Sequence, residues 1–110
     1  MKTISHQETG NELRKAALAK LGKRSKVADI SDDGTFQELI NESQGVFELS
    51  DREFADILMV SRPTINRWCN GKNLPHRTVR KAVFTWIAKT ALERLAIVER
   101  YEIRVKGRGA

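Results

Sequence analysis

Arg62, Pro63, Thr64, Asn66 and Arg67 fall within six consecutive positions. Each of the two guanidinium groups can donate a pair of parallel hydrogen bonds to O6 and N7 of a guanine. The proline ring and the threonine methyl can touch a thymine methyl, and a good bidentate pair contributes about 1–3 kcal/mol of discrimination between bases. Around them stand Ser61, Asn70, Lys72 and Arg77, whose hydroxyl, amide and cationic groups suit phosphate oxygens. Contacts of that kind set register and salt dependence but carry little base information.

Other chemistries find little material. Cys69 is the single cysteine, and His6 and His76 are the only histidines, so no metal-ligand spacing exists and no metal or cofactor is expected. Asp29, Asp32, Asp33 and His6 lie in segments that read as flexible and lack a positioned nucleophile, so no enzymatic turnover is expected. Trp68 and Trp86 resemble base-stacking platforms, yet both sit on apolar stripes, which assigns them to the core. Cys69 has no nearby base or metal partner that would make it reactive.

The chain's 110 residues suit one domain with an arm or tail, and its two prolines and seven glycines leave too few turns for a strand-rich fold. Charge is segregated within a net +6. From Ile57 to Leu92 there is no Asp or Glu but seven Lys and Arg, whereas Asp29 to Asp56 holds nine acids and the single base Arg52. Such segregation favours a polyanionic partner for one face, although charge alone fits equally well a solvated face that binds nothing. The N-terminus has no continuous apolar region, and no window approaches the roughly eighteen apolar residues of a membrane span. A soluble protein of a reducing cytoplasm, bacterial or phage-like and nucleoid-associated when bound, is expected.

Two successive helix starts frame the basic cluster. Ser50 and Glu53 have capping-box spacing, and Leu49 stands where it can staple onto Phe54. The helix so begun should bury Phe54, Ala55, Ile57 and Leu58. The signals then repeat: Ser61 or Arg62 caps, Val60 and Ile65 occupy the staple positions, and Pro63 falls in the first turn, where its missing N–H removes no bond. Ile65 and Trp68 form the buried side, Gly71 permits a left-handed exit, and Pro75 prevents continuation.

Outside this pair the signals thin. Asn11 can cap a helix to about Leu21, with Leu13, Ala17 and Leu21 on its stripe and Gly22 as its stop. Gly22 to Lys26 and the acidic 29–33 then read as a linker. That basic cluster has the chemistry to enter a minor groove, although a mobile tail without function is the plainer reading. Thr35 and Glu38 have capping-box spacing for a helix ending near Ser43 to Gly45. From His76 to Glu102 the chain reads as a helix of roughly 40 Å, with Val79, Ala82, Val83, Trp86, Ile87 and Thr90 on one stripe. Phe84, Ala88, Ala91, Leu92, Leu95 and Val98 form a second apolar set that one docking face cannot cover. Either the chain bends near Thr90, or the second set meets another subunit, or this domain's own arm wraps the helix. The tail from Arg104 to Ala110 reads as basic and mobile.

The segment from Ser50 to Lys72 resembles the helix-turn-helix of phage repressors and Cro proteins, the lambda-repressor-like family. The resemblance covers about Thr35 to Ile87, with its specific core at Phe54-Ala55 through Asn70-Gly71-Lys72 and Pro75. Met59 departs from it, because the family usually has glycine in that turn, and a non-glycine there tightens or tilts the entry of the second helix. By position the resemblance implies base contacts from Arg62, Pro63, Thr64 and Arg67. Asn66 joins them unless it turns toward the neighbouring helix, and Ser61, Asn70, Lys72 and Arg77 are the phosphate candidates.

The expected fold is all-α, four or five helices, with residues 1–34 as an N-terminal arm, 35–90 as the helix-turn-helix domain and 91–110 as a C-terminal extension. The expected function is a sequence-specific regulator of transcription that binds double-stranded DNA, most simply a repressor. A homodimer paired through Phe84, Ala88, Ala91, Leu92, Leu95 and Val98 would read an inverted repeat. Two rivals are an antitoxin-type regulator that also holds a protein partner and a DNA-packaging or recombination accessory protein.

Overall fold

The computed structural model describes residues 6–108, which form five helices: α1 His6–Val27, α2 Asp33–Val46, α3 Asp51–Leu58, α4 Arg62–Cys69 and α5 Arg77–Arg108. No strand occurs among the described residues. The fold is all-α, as expected. At about 1.5 Å per residue the 32-residue α5 is roughly 48 Å long, and it sets the longest dimension of the molecule, 53 Å.

α5 is the spine, and α1 runs antiparallel along it. Lys15 of α1 pairs with Glu102 near one end at 3.0 Å, while Gly22 lies against Ala91 and Leu92 further along. Leu18 and Leu21 of α1 enter the same core as Phe36, Leu39, Ile40, Phe54, Ile65 and Ile87. Aromatic rings tie the short helices to the spine. Phe36 packs between Trp68 and Phe84, with ring centroids 5.7 Å from each, and Trp86 packs on Phe47 and Phe54. Both tryptophans are therefore core residues, as their stripes predict.

Several local expectations are corrected. Gly22 does not stop α1, and the 22–26 stretch is helix rather than linker. Burial explains this, because Gly22 is buried against Ala91 and Leu92 of α5 and the packing there favours continued helix. On that helix Leu18 is buried and Leu13 is exposed. α2 is capped by Asp32, not Thr35: the Asp32 carboxylate accepts from the Thr35 N–H at 2.9 Å. It continues past Gly45 to Val46. Ile57 of α3 is exposed rather than buried.

Of the three readings of α5, the structure takes the third: the helix does not bend at Thr90, and its second apolar set is covered within the chain, by α1 of the expected arm and, at Phe84, by Phe36 of α2, rather than offered to another subunit. Phe84, Ala88 and Ala91 are buried within the chain, Leu95 and Val98 are half-buried against the core, and only Leu92 is exposed. On the first stripe Val83 and Ile87 are buried, while Val79 and Ala82 are exposed. The helix runs through 104–108, where a mobile tail is expected from sequence, while Gly109, Ala110 and the His6 side chain lie outside the described residues.

Candidate nucleic-acid interface

α3 and α4 are short, and their ends are closed by the same kind of turn. At the end of α3 the Val60 N–H donates to the Ala55 carbonyl at 3.0 Å and the Met59 N–H to Asp56 at 3.3 Å. At the end of α4 the Lys72 N–H donates to Arg67 at 2.7 Å and the Gly71 N–H to Trp68 at 3.0 Å. These paired bonds satisfy carbonyls that a helix end leaves without partners, and they require one left-handed residue. Met59 takes that conformation in the first turn (φ 59°) and Gly71 in the second (φ 73°). α2 ends likewise, with Glu48 left-handed at φ 54°. Met59 thus takes the left-handed conformation that glycine adopts most easily, with its side chain 91% exposed.

The starts are equally defined. At α3 the Ser50 hydroxyl accepts from the Glu53 N–H and the Glu53 carboxylate accepts from the Ser50 N–H, both at 3.1 Å, completing the expected capping box. Those bonds hold the Glu53 carboxyl below its ordinary range. At α4 the cap is Ser61, not Arg62. Its hydroxyl accepts from the Thr64 N–H at 3.2 Å and lies 2.8 Å from the Thr64 hydroxyl.

Four of the five candidate base readers are exposed on α4: Arg62, Pro63, Asn66 and Arg67. Together with Asp51 they line one open concavity of about 550 Å³. Thr64 is half-buried and its hydroxyl is engaged with Ser61, which leaves its methyl as the group free to touch a base. Asn66 does not turn into the neighbouring helix. It stays exposed, and its carbonyl oxygen accepts from Asn70 Nδ2 at 2.8 Å.

Asp51, in the first turn of α3, is a member of this group for which the sequence offers no signal. In the structure its carboxylate accepts from Gln44 Nε2 at 2.6 Å and faces the same concavity as the two arginines. A carboxylate there can accept from cytosine N4, and it disfavours a phosphate at that point.

Gln37 and Asn41 of α2 were also missed. Their amides both donate to the Cys69 carbonyl at the end of α4, at 3.1 and 2.9 Å. They tie the end of α4 to α2. Cys69 itself is half-buried beside Gln44, and burial, reinforced by the Asp51 charge, pushes its thiol up from the ordinary value.

The flanking candidates separate. Lys72 is exposed just past the αL turn, and Arg77 is exposed at the start of α5. Arg77 adds to the two Ser31 hydrogen bonds that hold the Asp29 carboxyl low. Asn70 spends one amide proton on Asn66. Arg80 is not a solvated charge at all. Its guanidinium pairs with Asp33 at 2.9 Å, donates to the Pro75 and Ile30 carbonyls, and lies over the Phe36 ring. Asp29, Asp32 and Asp33 are thus engaged in a turn, a cap and an ion pair. No group of His, Cys, Asp or Glu able to hold a metal occurs among the described residues, and no described helix is long and apolar enough to cross a membrane.

Comparison with known proteins agrees with the geometry at the centre of the chain. No curated protein and no solved structure matches it. A family model described as helix-turn-helix matches residues 47–79, a span that contains α3, its turn, α4 and the first residues of α5. Over residues 47–79 the chain is thus similar to the helix-turn-helix family, a match that supports DNA binding and agrees with the resemblance carried by α3, its turn and α4.

Proposed function

We propose that the protein is a transcriptional repressor that lays α4 in the major groove and reads an inverted repeat as a homodimer. The observation that carries this reading is the shared exposed concavity of Arg62, Pro63, Asn66, Arg67 and Asp51. It joins two bidentate guanine readers, an amide suited to adenine and a carboxylate suited to cytosine. Thr64 contributes its methyl, and Ser61, Asn70, Lys72 and Arg77 contact phosphates. In this reading residues 35–90 carry recognition, α1 braces them, and the far part of α5 pairs two copies in the cytoplasm of a bacterial or phage-infected cell.

A dimer follows from the limited reach of one reading helix, since half-sites about 34–36 Å apart require two. With Phe84, Ala88 and Ala91 buried, the pairing surface moves outward along α5. Ile97, Tyr101 and Val105 are exposed and spaced four residues apart, so they form one stripe. Tyr101→Glu protein that still binds as a dimer would remove that assignment.

The reading itself is tested by selection from a random duplex library with purified protein. Arg62→Ala should relax preference at particular base pairs, while Lys72→Ala should weaken all sequences alike and lower the salt slope by about one. Equal loss on every sequence from both variants would reduce Arg62 to a phosphate contact. Copurification of a stoichiometric second protein would favour the antitoxin-type reading, and a filament on DNA would favour packaging.

A further inference from the structure

Between the end of α1, the 28–32 connector and the middle of α5 lies a cleft of about 680 Å³, within the usual size range of small-molecule sites. α5 supplies two adjacent ladders to it. Phe84, Ala88 and Leu92 form an apolar ladder, and Lys81, Thr85 and Lys89 form a polar one, each spaced at four residues and so aligned along the helix. Ile30 extends the apolar wall, and Lys26 adds a third ammonium. No acid is among the described residues that line it.

Ser25 also lines this cleft. The residue is 4% exposed, and its Oγ is buried without a hydrogen-bond partner among the described residues. Buried polar groups are nearly always paired, and leaving one unpaired costs free energy. An apolar wall, three ammonium groups and an unpartnered hydroxyl donor together describe a ligand with an apolar body and an anionic head. Inorganic phosphate leaves the apolar wall unused, and a cation meets three like charges.

We propose that this cleft binds a small amphipathic carboxylate, its hydrocarbon against Phe84, Ala88 and Leu92 and its carboxylate accepting from Ser25 and from the rim lysines. The site is separate from the DNA-reading face, and binding there does not depend on the DNA reading being correct.

The test is a titration of the full chain, uniformly ¹⁵N-labelled, with sodium octanoate, 1-octanol and octyltrimethylammonium bromide, followed by amide chemical shifts. Octanoate should give saturable shifts clustered at residues 25–30 and 81–92, and octyltrimethylammonium should bind at least about tenfold more weakly. Lys81→Gln/Lys89→Gln protein should bind octanoate about fivefold more weakly and octanol unchanged, in line with partly exposed charge contacts. Ser25→Ala should also weaken octanoate selectively, with an unchanged melting curve showing that the fold is kept. Absence of saturable octanoate shifts, shifts scattered away from the cleft, or equal binding of octanoate and octanol in every variant would each overturn the proposal.

Discussion

Asn41 reaches from α2 to the last turn of α4, where its Nδ2 donates to the Cys69 carbonyl at 2.9 Å. Gln37, one turn earlier on α2, donates to the same oxygen at 3.1 Å. α4 is only eight residues long, too short to hold itself in water. Its rigidity therefore comes from Ile65 and Trp68 in the core and from these two amides at its exit.

Because the two donors share one acceptor, their loss should not be additive. Either Asn41→Ala or Gln37→Ala alone leaves the carbonyl served, and each should cost less than about 1 kcal/mol. The double variant leaves it without a side-chain donor and should cost more than the sum. Urea unfolding of the four proteins measures the coupling, and hydrogen exchange should quicken at Cys69 to Lys72. Simple additivity would mean that water replaces the amides without loss.

How much was legible in the sequence follows from how local each determinant is. The cap at Ser50, the αL exit at Gly71 and the buried Ile65 and Trp68 depend on residues within a turn of one another and are legible in the sequence, which also narrows the α4 cap to Ser61 or Arg62. Gly22 misled because a glycine after an apolar stripe signals a stop, whereas its role is set by Ala91 and Leu92, some seventy positions away. The second apolar set of α5 is legible as a set, but its cover is not: bend, second subunit and wrapping arm all fit the sequence, and nothing local says that it is Leu18 and Leu21 that return to it. Arg80 is, in the sequence, only one of the seven basic residues of the acid-free run between Ile57 and Leu92. Its partners Ile30 and Asp33 are brought to it only by the packed fold.

The left-handed residue in the helix-turn-helix turn gives a stability prediction. Met59 holds φ 59°, ψ 42°, a conformation that costs an ordinary L-residue roughly 1–2 kcal/mol and glycine almost nothing. Glycine's freer unfolded chain offsets part of that gain. Its side chain is 91% exposed, so removal forfeits little packing. Met59→Gly should raise stability by about 0.5–1 kcal/mol, read as a higher urea midpoint at unchanged slope. Gly71→Ala should do the reverse by a larger amount. There a Cβ would stand 2.8 Å from Gln37 Oε1 in addition to adopting φ 73°, and a lower midpoint for Met59→Gly would show that the methionine makes contacts beyond its backbone.

Acid should loosen the starts of α2 and α3. The Asp32 carboxyl is held below its ordinary value by hydrogen bonds from the Thr35 hydroxyl and N–H, and Glu53 by those of Ser50. A depressed folded-state pKa means that the stabilisation is present above the unfolded value, near pH 4, and is lost as pH falls through the lower folded value. Asp32→Asn keeps a good cap that does not titrate. Its stability at pH 7 should stay close to that of the parent, and its decline below about pH 4 should be shallower. Parallel acid curves for the two proteins would show that other carboxylates control acid unfolding.

Gly22 separates two explanations of a glycine in mid-helix. If the position needs glycine for a backbone approach too close for any side chain, alanine must clash. The geometry says otherwise. A Cβ added at Gly22 would meet the Ala91 Cβ and Leu92 Cδ2 at 3.6 Å, which is ordinary van der Waals contact. Alanine also favours the interior of a helix by about 1 kcal/mol over glycine. Gly22→Ala should therefore stabilise the chain, by up to about 1 kcal/mol, while Gly22→Leu should destabilise it by pushing α1 away from α5. Thermal unfolding of the two variants decides the matter. A lower midpoint for Gly22→Ala would mean that α1 and α5 pack more tightly in solution than these distances allow.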